Sequence, residues 1–401
     1  MKCHRPPRGR VYAAGWLGLV ILVALVVLWR PATEHLRAAS VLVRLTDPAA
    51  TGIVVAYARQ PFVERILAIP MTEGVARARL YLPPHVDSAS GLVIVHGVHR
   101  LGIEEPRLRG FARAMASAGV AVLTPEVREL CDYRIEPASI TVIGEAARAL
   151  GAELGGARPI RVGVIGFSFA GGLAILAAAN PHFAGDIAFV VAVGAHDDLG
   201  RVLRFFATNE IQRPDGTTES LAAHSYGPVV LMYSHAEDFF PAQDVAVARD
   251  VLRLWLWEEF DAARARSNEL SEPSRGKMEL VFSRSIGRLA PELLAEIARL
   301  TPEFAAVSPS AHANEVRVPV YLLHGAGDTV IPAVETLWLA HDLPRRVVVA
   351  ELVSPAIEHV GLTGGPTTGE KLALVHFVSL VLEAADGERS EVKRRDATIQ
   401  L

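Results

Sequence analysis

From Arg65 onward, short apolar runs alternate with stretches of helical periodicity. The runs Arg65–Ile69, Arg77–Leu82, Leu92–His96, Val120–Leu123, Arg161–Ile165, Phe189–Val193, Val320–His324 and Val347–Ala350 read as strands. Several are continuous and β-rich, bounded by Gly or Pro, as strands buried on both faces are. Between them, Arg107–Ala118, Ser139–Leu154, Gly171–Ala179, Ala333–Ala340 and Glu370–Ala384 read as helices. This alternation predicts an α/β fold with a mostly parallel central sheet covered by helices on both faces.

The pattern changes over residues 194–318, where no strand–helix repeat is visible. Gln243–Arg266 and Pro291–Leu300 read as helices, SNELSEPSRGK as a polar turn-rich stretch, and Pro228–Tyr233 as either strand or buried helix. The region is expected to be an inserted helical cap. The core is then 65–193 together with 319–385, with 30–64 a linker and peripheral segment and 386–401 a tail.

Val11–Trp29 holds 19 residues without a charge, flanked by Lys2, Arg5, Arg8 and Arg10 before it and Arg30 after it. About 20 apolar residues span a bilayer as a helix, and Trp16 and Trp29 lie toward its ends. A cleaved signal peptide fits less well: Ala38-Ala39-Ser40 is small, but Arg37 breaks the usual spacing. The expectation is a single-pass signal anchor over 11–29, a cytoplasmic N-terminus at 1–10, and a catalytic domain on the outer or periplasmic side.

Just over half the 401 residues are apolar and 21% are charged, enough for a sizeable core. The net charge of −4 gives no footprint for nucleic acid. The two cysteines, Cys3 and Cys131, flank the apolar segment and stand in no metal-ligand spacing. A disulfide framework is therefore not expected.

Chemistry concentrates first in RVGVIGFSFAGG, where an apolar strand runs into Gly166-Phe167-Ser168-Phe169-Ala170-Gly171 and a small-residue helix follows. A serine on a tight strand-to-helix turn projects its hydroxyl, and the positions two before and two after must be small. Downstream, VPVYLLHGAGDTVIP carries Asp328, and VVVAELVSPAIEHVGLTG carries His359. Upstream, GLVIVHGVHRLG supplies a strand followed by Gly97. In this order the pieces resemble the α/β-hydrolase superfamily, with its G-x-S-x-G elbow, acid and histidine following along the chain. Ala170 departs mildly from the elbow pattern. Within the superfamily the chain looks like the dienelactone-hydrolase-like and esterase branch, with serine where dienelactone hydrolases carry cysteine.

The resemblance implies Ser168 as nucleophile, His359 as base, Asp328 as the acid orienting it, and the backbone N–H groups of Val98 and Phe169 as oxyanion donors. Asp197 is a rival acid, since some members place it after the preceding strand. His96 and His324, at strand ends beside glycine, read as structural. His96 and His99 alone make a poor metal site, so neither metal nor cofactor is expected. The implied reaction is hydrolysis of an ester or related acyl bond in a small-molecule substrate. A peptidase or amidase on the same triad and a non-catalytic binding protein of this fold are the alternatives. Phe205, Phe206, Phe239, Phe240, Trp255 and Trp257 make 194–318 aromatic, which suits packing first and a hydrophobic acyl or alcohol group second.

Overall fold

A computed structural model describes Trp29 and residues 31–84, 91–358, 361–362, 365 and 367–399. Its centre is an eight-stranded sheet. The strands are β1 (Val63–Met71), β2 (Gly74–Leu82), β3 (Gly91–Val95), β4 (Ala121–Pro125), β5 (Val162–Phe167), β6 (Ile187–Val193), β9 (Val320–Gly325) and β10 (Val348–Ser354). A short hairpin, β7 (Glu210–Gln212) and β8 (Thr218–Ser220), lies apart from the sheet. The strand order is β1-β2-β4-β3-β5-β6-β9-β10. β2 pairs antiparallel with both β1 and β4, and every pairing from β4 to β10 is parallel. This is the α/β-hydrolase arrangement expected from the motifs, with β5 at its centre.

The central strands β3, β4, β6 and β9 are buried at every residue, whereas the edge strands β1 and β10 are partly exposed. Continuous apolar runs therefore sit in the middle of the sheet. Side chains alternate between its faces. Val93, Val164, Val190 and Leu322 pack with Ile143 and Leu150 of helix Pro137–Gly155 and Leu173 of helix Phe169–Ala179. Ile94, Ile165, Val191 and Leu323 pack on the other side with Met115 of helix Pro106–Ser117 and Phe377 and Val381 of helix Thr368–Ile399.

The segment expected as a linker contributes a helix over 31–46. It buries Ala38 and Val41 in that second layer. Arg37 pins it down, bonding Glu34 and Asp386 and donating to the Ala118 carbonyl at 3.0 Å. The expectation of a single-pass anchor is corrected on the described residues. Residues 11–28 lie outside the described residues, and among the described residues no helix is long and apolar enough to cross a membrane. The chain beyond Arg30 is docked on the core through Ala38, Val41 and Arg37. Neither the anchor nor the extracytoplasmic placement built on it stands.

Between β6 and β9 the chain is mainly helical, apart from the β7–β8 hairpin and connecting loops. Pro228–Tyr233, ambiguous by pattern, falls in helix Gly227–Ser234 and is buried throughout. The long Gln243–Arg266 stretch divides into Val245–Leu256 and Phe260–Ser267, with Glu258 at φ 62° between them. The turn-rich SNELSEPSRGK instead opens helix Glu272–Phe282. Pro273 falls in the first turn, where a missing N–H does no harm. Asp244, far along the chain, accepts from the Ser271 N–H at 3.2 Å and from the Ser271 and Ser274 hydroxyls.

Candidate active site

Ser168 sits between the end of β5 and helix Phe169–Ala179, at φ 56° and ψ −134°. A side chain in this region of backbone space is strained by about 1–3 kcal/mol, so the surrounding structure must hold it there. Two backbone bonds do so: the Ser168 N–H donates to the Val193 carbonyl at 2.7 Å, and the Gly171 N–H to the Ser168 carbonyl at 2.9 Å. The turn also demands glycine at 166, because a Cβ there would stand 2.3 Å from the Ala170 carbonyl oxygen. Ala170 itself is fully buried. The N-terminus of the following helix directs its partial positive charge toward the serine.

Gly97 ends the approach of the β3 loop. A Cβ on it would come within 3.1 Å of the Ser168 Cβ. His96 is buried and bonded at both ring nitrogens. Its Nδ1 lies 2.7 Å from the Gly97 carbonyl, and its Nε2 lies 3.1 Å from the Val127 N–H. Since a carbonyl only accepts and an N–H only donates, Nδ1 carries the proton. Burial pushes the imidazole down to about 4, so this neutral form persists near neutral pH. The Gly97 carbonyl and the Val98 N–H belong to one planar, trans peptide unit, so fixing the first also aims the second the opposite way. His96 is thus structural, as expected, and it orients the peptide of the expected donor.

Asp328 follows β9 and is buried. Its Oδ1 accepts from the Val330 N–H at 2.8 Å and the Ile331 N–H at 3.0 Å. His324 lies close, with Nε2 3.4 Å from Asp328 Oδ2. That ring is engaged elsewhere: Nε2 bonds the Ile331 carbonyl at 2.8 Å and Nδ1 the Thr336 hydroxyl at 2.7 Å. His324 therefore braces the Asp328 loop. His359 lies outside the described residues. The strand preceding it, β10, runs parallel to β9, with Ser354 paired to Gly325. The chain after Gly325, which leads to Asp328, and the chain after Ser354 therefore leave the sheet side by side. Ile357 lines the same cavity as Ser168.

Asp197, the rival acid, belongs to another constellation. Its Oδ2 pairs with Arg201 at 2.8 Å, and Arg201 also pairs with the buried Glu335 at 2.6 Å. Glu335 accepts from the N–H groups of Asp197 and Asp198. Burial first, and then the Glu335 carboxylate, raise Asp197 to about 8, with Arg201 opposing. The local sequence carries no sign of this: Glu335 joins Asp197 from across the whole 194–318 insertion.

Ser168 opens on a cavity of about 1030 Å³. Val98, His99, Tyr133, Tyr226 and Trp255 line it near the serine, the last two from the insertion. The Tyr133 hydroxyl donates to the Leu256 carbonyl at 2.9 Å, joining the core to that insertion. Phe205, Phe206, Phe239 and Phe240 are buried inside the insertion as packing, whereas Trp255 reaches the cavity.

One cluster escaped the sequence reading. His235, Asp238 and Glu296 hold ligand atoms within 4.8 Å of one another. Arg299 pairs with both Asp238 and Glu296, so a guanidinium already engages the two acids.

No protein-family model matches the chain, and no curated protein matches it. Several solved structures are similar to it over much of the chain. An esterase of Pyrobaculum calidifontis is 18% identical, with a TM-score of 0.44 over 93% of this chain and 97% of that one. A 2,6-dihydroxy-pseudo-oxynicotine hydrolase is 15% identical, with a TM-score of 0.41 over 84% and 71%. The acylaminoacyl peptidase of Pyrococcus horikoshii is 14% identical, with a TM-score of 0.45 over 82% of this chain and 42% of that one. Similarity at this level assigns no activity. The strand order and the turn at Ser168 define the class: an α/β-hydrolase fold with a serine at its elbow.

Proposed function

We propose that the protein is a serine hydrolase that cleaves an ester or related acyl bond. Ser168 attacks the carbonyl carbon, His359 takes the hydroxyl proton, and Asp328 holds the imidazole. The tetrahedral intermediate then collapses, breaking the bond to the leaving alcohol, which departs with the proton from His359. The acyl-enzyme so formed is cleaved by water, with His359, neutral again, acting as base toward that water and returning the proton to Ser168 as the acid is released. The N–H groups of Val98 and Phe169 stabilise the tetrahedral oxyanion, and His96 keeps the peptide of Val98 in place. Residues 194–318 act as a cap that closes the site from above.

The observation that carries this reading is the backbone of Ser168 at φ 56°, held at the end of the central strand and facing a large cavity. Strain of this kind at an incidental serine would serve nothing. A fluorophosphonate probe is expected to label Ser168 in the folded protein, and Ser168→Ala is expected to lose both labelling and ester hydrolysis by several powers of ten. A folded protein that ignores the probe and retains its activity as Ser168→Ala would overturn the reading.

A further inference from the structure

The cavity at Ser168 does not end under the cap. It continues between the sheet and the helices on one of its faces. Val191 and Val193 of the sheet, Met115 and Phe377 of the helices on that face, and Leu42 and Leu45 of the 31–46 helix all line it. Most of the lining among the described residues is apolar; His96, His99 and Ser168 are joined by a minority of polar side chains, among them Arg44 and Thr46 of the 31–46 helix. Protein interiors keep few voids larger than a water molecule, because side chains facing a gap lose their dispersion contacts. Apolar space of this size, continuous with a nucleophile, is at the upper end of what small-molecule sites occupy. Its direction is also informative. A compact substrate would need only the space beneath the insertion, whereas a long narrow one would use the layer between sheet and helices.

We infer that the substrate carries a long, unbranched hydrocarbon chain, which lies in this channel under helix 31–46 while its carbonyl stands at Ser168. Each methylene buried favours binding by about fourfold, so chain length is the specificity determinant. The inference rests on the serine-hydrolase reading for its chemistry and on the cavity for its substrate.

The test is a series of p-nitrophenyl esters from acetate to palmitate, set beside acetate esters of short and long alcohols. The first series reads a chain on the acyl side and the second a chain on the alcohol side. In one of the two, kcat/KM is expected to rise by at least about tenfold from the short to the long members. Leu45→Trp, which adds bulk where the 31–46 helix lines the cavity, is expected to lower the laurate-to-butyrate ratio, or its alcohol-side equivalent, by a similar factor. Val381→Phe is a second blocker should Leu45→Trp fold poorly. Binding of a fluorescent long-chain fatty acid to Ser168→Ala reads the channel without turnover and is expected to weaken in Leu45→Trp/Ser168→Ala. Cleavage confined to the shortest esters, with no fatty-acid binding, overturns the inference and leaves the serine reading standing. Fatty-acid binding without cleavage of any ester overturns the serine reading and leaves the channel.

Discussion

Asp197 and Asp328 follow neighbouring parallel strands, β6 and β9, and both are buried almost completely. Their partners separate them. Asp328 is gripped through one oxygen by two backbone N–H groups of its own loop, which fixes its direction. Asp197 shares a guanidinium with Glu335, and its other oxygen is buried with no hydrogen-bond partner among the described residues. Burial alone, then, does not tell the proposed acid from its rival. Asp328 is aimed by short-range backbone bonds. Asp197 clasps together parts of the chain that lie far apart: its carbonyl accepts from the Ser310 N–H at 3.1 Å, at the exit of the insertion. The stacking of Arg201 over Trp338, 4.4 Å from the ring centroid, strengthens that clasp.

The comparison can be broken first at Asp328. Asp328→Asn is expected to keep the fold and lower kcat by about 10³–10⁴-fold, because the base then loses its orientation and its tautomer. Steady-state kinetics on any ester that the wild type cleaves would check it; a fall no greater than that of Asp197→Asn would erase the distinction between the two acids.

Next in size is Arg201→Met. It leaves Asp197 and Glu335 together without their cation, and should destabilise the fold by about 3–5 kcal/mol in urea titration. The specific activity of the fraction still folded should hardly change. Activity lost in step with Asp328→Asn would instead bring Asp197 into the catalytic machinery.

The smallest effect, taken over a single pH unit, concerns pH. Asp197 has a folded-state value raised to about 8 from 3.8. Between those values the folded protein binds more protons than the unfolded chain. Its contribution to stability is therefore full below about 3.8 and declines as pH rises toward 8, by no more than about 1.4 kcal/mol per pH unit. Asp197→Asn, which mimics the neutral acid, should flatten this decline. Urea midpoints of the two proteins that run parallel across the interval would refute it.

The sheet was legible because burial imposes a pattern. Each of its eight strands coincides, to within a few residues, with an apolar run, since central parallel strands must be apolar on both faces. The elbow was legible because its geometry restricts residue type at Gly166 and Ser168. Less visible were features made by distant contacts. Helix Glu272–Phe282 begins in a sequence that looks like a loop because its stabilising carboxylate, Asp244, comes from elsewhere. The break at Glu258 interrupts an apparently continuous amphipathic run. The helix over 31–46 has a modest apolar stripe that acquires meaning only against Met115 and Phe377. The Asp197 clasp has no local signature at all.

Arg37 touches the 31–46 helix, the end of helix Pro106–Ser117 and Asp386 near the far end of the chain. A single guanidinium thus fastens the first described helix to the last. Trimming the gene to start at residue 40, a natural choice when the preceding apolar stretch hinders expression, would remove this rivet and unseat one wall of the interior.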